Sequence, residues 1–403
     1  MKKSIYLLSL ITPFILTAAE EAPAQVTEES PSCPPEETTF CEPICYGYLR
    51  PYYDLECDWG LALSVDFLYW YAKESCLPYV TKMKSISNGA GSTVLSPTTY
   101  KYIDGEWDPG VRVGLGWNTC HDGWDLYLNW TYMHNSSSES TSVADFGQAN
   151  TFYLPSVGQS ALANPWINAS FYFDDSLDTS ARLFDKVSAK WSLNFNQIDL
   201  ELGRKSWVSP CFTLRPYTAL RGAWVQTKFK TDSFRNTTHP TDQSTVSILF
   251  KDHFKSKYWG VGFLVGLQPN WHFCESIILF SNFDGALIWG DFDGDKKEKY
   301  LDERASGTRF STSGKSTSST SSMQAILDLS LGLRWERTWC CNRYRTALDL
   351  GWENHYWFDF DTHYQTFGHF SNTDGSVQGF TSFNEVQSDL MMGGLMVRFK
   401  IDF

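Results

Sequence analysis

The chain has 403 residues, with 33 Lys+Arg against 46 Asp+Glu, a net charge of −13, and a high aromatic share of 16% (17 Trp, 20 Tyr, 28 Phe). A chain this aromatic has the apolar surface to fold, which excludes disorder throughout, and its acidity makes nucleic acid an unsuitable partner. Beyond the N-terminus no apolar run approaches the roughly 20 residues of a membrane helix, so any membrane crossing must be made by strands.

Lys2 and Lys3 precede an apolar stretch from Ile5 to Leu16, and Thr17-Ala18-Ala19 offers small residues before a cleavage point. This is the form of a secretory signal peptide over 1–19, cleaved near Ala19. Without Lys2 and Lys3 the charge becomes −15. Residues 20–58 then read as an acidic, Pro-rich periplasmic arm. Ten acids and Arg50 give it −9, too much charge and too little apolar surface to fold, so it is expected to be disordered. The arm carries Cys33, Cys41, Cys45 and Cys57. In an exported protein such cysteines serve either as local bridges or as cross-links to other envelope proteins. No His lies among them, which disfavours zinc.

From Trp59 to Phe403 the pattern changes to a period of two. Leu61, Leu63, Val65, Phe67, Tyr69 and Tyr71 alternate with smaller or polar residues. The same period recurs over 111–117, 124–132, 325–336 and 391–403. Further strands are expected over 187–204, 211–229, 257–268, 276–290 and 344–358. Runs of ten to fourteen residues exceed the five or six of a soluble sandwich and suit tilted crossings of a bilayer. A closed barrel pairs every backbone group, so no polar edge meets lipid. The expected fold is all-β: a transmembrane antiparallel barrel of about 12–16 strands with long extracellular loops. In 187–204 the apolar phase switches between Phe195 and Ile198, which predicts a bulge near Asn196-Gln197. Cys120–Gly123 reads as a short turn. Segments 133–185, 231–256, 291–322 and 359–387 read as long polar loops.

These stretches resemble the major outer membrane protein family of the Legionella and Chlamydia-like type. The resemblance is carried by Val65-Asp66-Phe67-Leu68-Tyr69-Trp70, by Phe195-Asn196-Gln197-Ile198-Asp199-Leu200-Glu201-Leu202-Gly203-Arg204 and by Leu214-Arg215-Pro216-Tyr217 with Leu220-Arg221-Gly222-Ala223-Trp224. Leu331-Gly332-Leu333-Arg334-Trp335-Glu336 and Leu350-Gly351-Trp352-Glu353-Asn354-His355 continue it. The closing Val397-to-Phe403 segment, ending on Phe403, resembles the general signal read by the barrel-assembly machinery. The resemblance implies a trimeric, pore-forming protein of the Gram-negative outer membrane that passes small solutes, within a disulfide-linked envelope. The acidic arm departs from the family pattern.

If the apolar phase meets lipid, the opposite phase lines the lumen, and charged side chains there set selectivity. The pore-lining candidates are Asp66, Arg112, Asp199, Glu201, Arg215, Arg221, Asp328, Arg334, Glu353 and Arg398, with Asp125, Asp349, Glu336 and Lys400 in the same phase. Arg215 and Arg221 share one face of one strand and are expected to favour anions locally. Cys340 and Cys341 are adjacent and better placed to cross-link elsewhere than to bridge each other. No metal or cofactor is expected. Asp291-Phe292-Asp293-Gly294-Asp295 has Lys296 where a calcium loop needs Gly, and reads as a solvated turn. His355, His363, His369, Asp359, Asp361 and Ser371 form no hydrolase motif and read as polar strand ends, so an enzyme is not expected. Three roles stay open: a porin passing hydrophilic solutes through a water-filled lumen, a cross-linked structural protein of the envelope, and an adhesin displaying its loops.

Overall fold

The computed structural model describes residues 55, 60–87, 93–119, 122–143, 157–167, 183–238, 245–274, 276–304, 309–340, 343–373 and 376–403. The signal segment, the arm apart from Leu55, and Cys33, Cys41, Cys45, Cys57, Cys120 and Cys341 lie outside them. The strands are β1 (Leu61–Glu74), β2 (Pro78–Ser87), β3 (Thr93–Tyr102), β4 (Glu106–Asn118), β5 (Trp124–Ser142), β6 (Ser160–Ala163), β7 (Leu183–Phe184) and β8 (Lys186–Arg204). They continue with β9 (Ser206–Ser209), β10 (Phe212–Thr238), β11 (Thr245–His272), β12 (Ile277–Arg304), β13 (Arg309–Trp339), β14 (Tyr344–Thr373) and β15 (Ser376–Asp402).

Ten of these close into an antiparallel ring: β1, β4, β5, β8, β10 and β11 to β15, sealed by β10–β11 pairing, with short β9 at the foot of β10. The number is even, but it falls below the expected 12–16. The difference lies in segments 231–256, 291–322 and 359–387, whose described residues are strand and not loop. They form the upper halves of β10 to β15, each 27 to 31 residues long. The calcium-like segment 291–295 is likewise strand, inside β12. Strand length, not strand number, absorbed the residues. By contrast β1 and β4 have 14 and 13 residues, close to one crossing. The wall is therefore tall on one side and low on the other.

The ring ends meet at one rim, where Phe403 N–H donates to the Leu61 carbonyl at 2.7 Å. The connections at this rim are short, the form expected of periplasmic turns, and on the expected orientation this is the periplasmic rim. Above it the outer face is apolar. Leu63, Phe67, Leu115, Trp117, Leu200, Phe263, Leu333 and Leu350 all face outward and are exposed. Trp224 of β10 and Trp259 of β11 are exposed register partners near the top of this band, where an amphipathic ring suits the headgroup boundary.

Above that girdle the pattern inverts. On β10 the outward residues change from Leu220 and Trp224 to Gln226, Lys228 and Lys230, while Val225 and Phe229 are buried inside. On β8, Ile198, Leu200 and Leu202 face out, but Trp191, Leu193 and Phe195 face in. The pairing of β8 with β5 and β10 runs through this point without a register shift. No bulge exists at Asn196-Gln197. The phase switch instead marks the change of solvent from lipid to water. Below it, apolar side chains are stable outward in lipid. Above it, burying each such side chain inside contributes roughly 1.5–3 kcal/mol.

The barrel thus has two storeys. The upper one encloses an aromatic core that includes Trp70, Trp357, Phe195, Tyr258, Phe292 and Phe360. A second sheet, in the order β3-β2-β6-β7, is separate from the ring. Residues just after β6 reach the inner face of the tall wall. Asn164 donates to Thr231 and Ser233 of β10, and the Trp166 ring lies 5.6 Å from those of Phe229 on β10 and His363 on β14. This segment plugs the upper lumen. Pairing between β13 and β14 stops at Ile326–Trp357, and β14 itself is irregular between Trp357 and Asp361, with Asp359 at a φ of 46°.

Candidate functional site

The inward phase of the membrane-embedded storey carries charge on nearly every strand, because those positions alternate with lipid-facing ones. The side chains do not stand free in water. They pair, and several pairs cross the lumen. Arg112 of β4 donates to Glu353 of β14 through Nη1 and Nη2 at 3.0 and 2.9 Å, and to Asp66 of β1 at 3.1 Å. Arg398 of β15 grips the same Asp66 at 2.9 and 2.8 Å. Arg334 clasps Asp349 at 2.7 and 2.8 Å.

On the other side, Arg215 donates to Asp125 at 2.6–3.0 Å and to Glu201 at 3.1 and 3.2 Å. Arg221 holds Asp199 at 2.7 and 3.0 Å and Asp328 at 2.5 Å. His355 Nδ1 lies 2.8 Å from Asp328, and its ring packs 4.5 Å from that of Trp70. Toward the periplasm Arg345 and Lys400 both meet Asp402. All ten pore-lining candidates face the lumen and join this network. Asp66 is 0% exposed and Arg221 is 4% exposed.

One expectation changes here. Arg215 and Arg221 were expected to favour anions locally, yet each is neutralised by two carboxylates. The ion pairs bridge the middle of the barrel and the aromatic core sits above them. Ten strands enclose too little width for facing long side chains to stay apart. Beside these pairs and below them lies a cavity of about 210 Å³, lined by Arg112, Arg221, Asp328 and Glu353 of the charged layer and by Lys400 and Asp402 nearer the rim.

A second polar cluster sits in the upper storey, outside the membrane band. His363 Nε2 on β14 lies 2.6 Å from Glu74 Oε1 at the top of β1 and 3.9 Å from Asp361. Glu74 also accepts from Ser388 at 2.6 Å and Trp191 at 2.8 Å, and Asp361 from Thr227 at 3.1 Å. One donor atom from each of Glu74, Asp361 and His363 lies within 4.8 Å of the others, a spacing fit for a metal ion. Each donor already has a hydrogen-bond partner. Burial opposes ionisation of Glu74, but the His363 charge and these hydrogen bonds outweigh it and lower its pKa. Burial likewise opposes the His363 charge, and Glu74 with Asp361 outweighs it and raises the pKa. Burial pushes Asp361 up to about 6. Nearby Asp252 is pushed up to about 7 by burial, although Lys296 counteracts this. Sequence reading missed this cluster, because Glu74 is 289 positions from His363. The side chains of His369 and Ser371 lie outside the described residues.

Among the cysteines, Cys211 and Cys274 are disulfide-bonded. Cys340 is free and exposed in the periplasmic β13–β14 turn. Cys76, free and exposed above β1, carried no signal in the sequence reading.

A family model described as the Legionella pneumophila major outer membrane protein precursor matches residues 56–403. The chain belongs to that family. The match takes in every strand of the ring and places the protein in the outer membrane. Among curated proteins, none matches the sequence. Several solved structures are similar to the chain. The outer membrane protease OmpT of Escherichia coli is 8% identical, with 87% of this chain and 97% of that chain covered and a TM-score of 0.33. The toluene transporter TodX of P. putida is 11% identical, with 86% and 91% covered and a TM-score of 0.28. A Pseudomonas aeruginosa FadL homologue is 7% identical, with 85% and 89% covered and a TM-score of 0.23. At these values none of them transfers a function to this member of the family.

Proposed function

We propose that the protein is a narrow pore for ions and small hydrophilic solutes, seen here in a closed state. The observation that carries this reading is the charged layer across the embedded lumen. Packing for stability alone does not call for it, since replacing buried ion pairs with apolar residues is often neutral or stabilising. A charged layer keeps the path wettable and lets pairs exchange partners as an ion passes. The periplasm-facing cavity is its vestibule, and the upper plug around Trp166 is the part that must move. Because the charges compensate, selectivity is weak. Planar-bilayer recording of refolded protein tests this. Small, infrequent conductance steps are expected, and silence in repeated trials would sink it.

The reading carries its context with it. Residues 1–19 direct export and are removed near Ala19. Phe403, at the periplasmic rim, is read by the barrel-assembly machinery. The barrel sits in outer-membrane lipid as a trimer and performs no catalysis. A second role is favoured by one observation, the free and exposed Cys340 at the periplasmic turn. There it is within reach of other envelope proteins for disulfide cross-linking, as the arm cysteines would be. Non-reducing gels of whole envelopes should show high-mass bands that collapse with thiol; monomer in both lanes would overturn this role.

A further inference from the structure

The net charge of the chain is −13, yet the outer face of the tall wall above the Trp girdle is basic. The strand registers make this plain. Lys190 of β8 stands opposite Lys230 of β10, Lys230 opposite His253 of β11, His253 opposite Lys297 of β12, and Lys297 opposite Lys315 of β13. Four lysines thus stand in one row across five adjacent strands, interrupted on β11 by His253, whose charge is opposed by burial first and then by the neighbouring lysines. Lys190 with Lys230 and Lys297 with Lys315 are directly opposed like charges, which destabilise a sheet, so the fold alone gives no reason for them.

Below the row the patch continues down to the girdle. Lys228 and Lys255 are register partners, and Lys257 lies two residues above Trp259. Crowding is visible in the charges themselves. Burial first, then Lys257, Lys228 and Lys297, lower the Lys255 pKa. Asp293 and Asp295 stand opposite Lys257 and Lys255. Among the described residues, however, the ion pair these acids make is Lys315 with Asp295, at 3.5 Å.

We propose that this face binds the phosphate groups of an outer-leaflet glycolipid. Two facts select a lipid over a soluble polyanion. The patch is continuous with the lipid-facing band, beginning two residues above Trp259. Two to four residues along a tilted strand rise only about 5–10 Å, the depth of a headgroup layer. Lys228, Lys255 and Lys257 then meet phosphate next to the acyl chains that pack on Val261 and Phe263, while the higher row meets charge farther along the headgroup. A free polyanion would gain nothing from the girdle below.

The test uses the refolded full chain in detergent, with diphosphorylated lipid A as probe and bound lipid counted by native mass spectrometry. Dephosphorylated lipid A and heparin are the comparisons. Diphosphorylated lipid A should bind, more weakly as salt rises. The Lys228→Gln/Lys255→Gln/Lys257→Gln variant should lose roughly fivefold per lysine, about a hundredfold in all. Lys84→Gln, on β2, should bind as the parent does. These lysines face outward, so heat-modified gel mobility should show the variant barrel intact. The proposal fails if dephosphorylated lipid A binds equally, or if the triple variant keeps parental affinity. It also fails if heparin binds as tightly through the same lysines, which would make the face a site for soluble polyanions.

Discussion

Arg221 on β10 reaches Asp328 on β13 at 2.5 Å, although β11 and β12 stand between those strands in the wall. The contact therefore spans the lumen as a strut. Removing one end strands a buried charge. Arg221→Ala should destabilise the barrel by about 3–5 kcal/mol, because Asp199 loses its counter-charge and Asp328 keeps only His355. Replacing all three with Met or Leu should restore most of that stability while abolishing ion passage. Urea unfolding and bilayer recording on the same proteins separate the two effects.

Gly203 of β8 gives a gentler probe of the same layer. A Cβ there would lie 2.5 Å from Arg215 Nε and 2.6 Å from its Cζ. The guanidinium cannot simply swing away, since Asp125 and Glu201 hold it. Gly203→Ala should cost about 1–3 kcal/mol by overpacking and should raise the frequency of conductance steps. Unchanged melting and gating would show that Arg215 is free to move.

The upper storey should respond to pH in one direction. His363, Asp361 and Asp252 all bind protons more tightly when folded, so the stability they contribute is lost as pH rises through their folded values. Glu74 has the opposite sign, and its contribution is lost only below its ordinary 4.5. Lys296, which faces Asp252, moderates the effect. Resistance of the plug to protease should therefore be greatest near pH 5 and fall toward pH 8. Proteolysis followed at several pH values checks this, and greater resistance at pH 8 would contradict it.

Trp166 closes that storey from within, donating its indole N–H to the Pro78 carbonyl at 2.6 Å. Trp166→Ala should cost about 3–5 kcal/mol in the upper core and increase open-channel time. Loss of stability without any gain in opening would place the gate elsewhere.

Free thiols report the orientation. Cys76 sits at the top of β1 and Cys340 at the opposite rim. A membrane-impermeant maleimide should label Cys76 on intact cells, with labelling lost in Cys76→Ser. Cys340 should react only after the outer membrane is breached. The reverse pattern would invert the topology.

Much of this was legible as period-two patterning. The runs beginning at Leu61, Trp124 and Ala325 are strands at those places, and their polar phase faces the lumen. The pattern does not say which solvent lies outside, so the switch at Phe195–Ile198 looked like a bulge when it was a change from lipid to water. The Ser/Thr tract at 311–322 has no apolar alternation, yet it is a strand because β12 templates it residue by residue. Cross-lumen partners such as Arg112 and Glu353, 241 positions apart, leave no local trace. Nor does a sequence reveal that ten strands bring facing charges into contact.

The end of β13–β14 pairing at Ile326–Trp357 has a consequence for where the wall can open. Below that rung, among the described strands, the wall is continuous. Above it, among the described residues, no backbone ladder joins the two strands, and Gln324 of β13 donates instead to the Asp359 carbonyl of β14 at 3.3 Å. Buried Trp357 and Phe360 close the seam from within. The wall is held there by side-chain packing in place of paired backbone, so this is where the tall sheet and the β14–β15 hairpin can part at the least cost in hydrogen bonds.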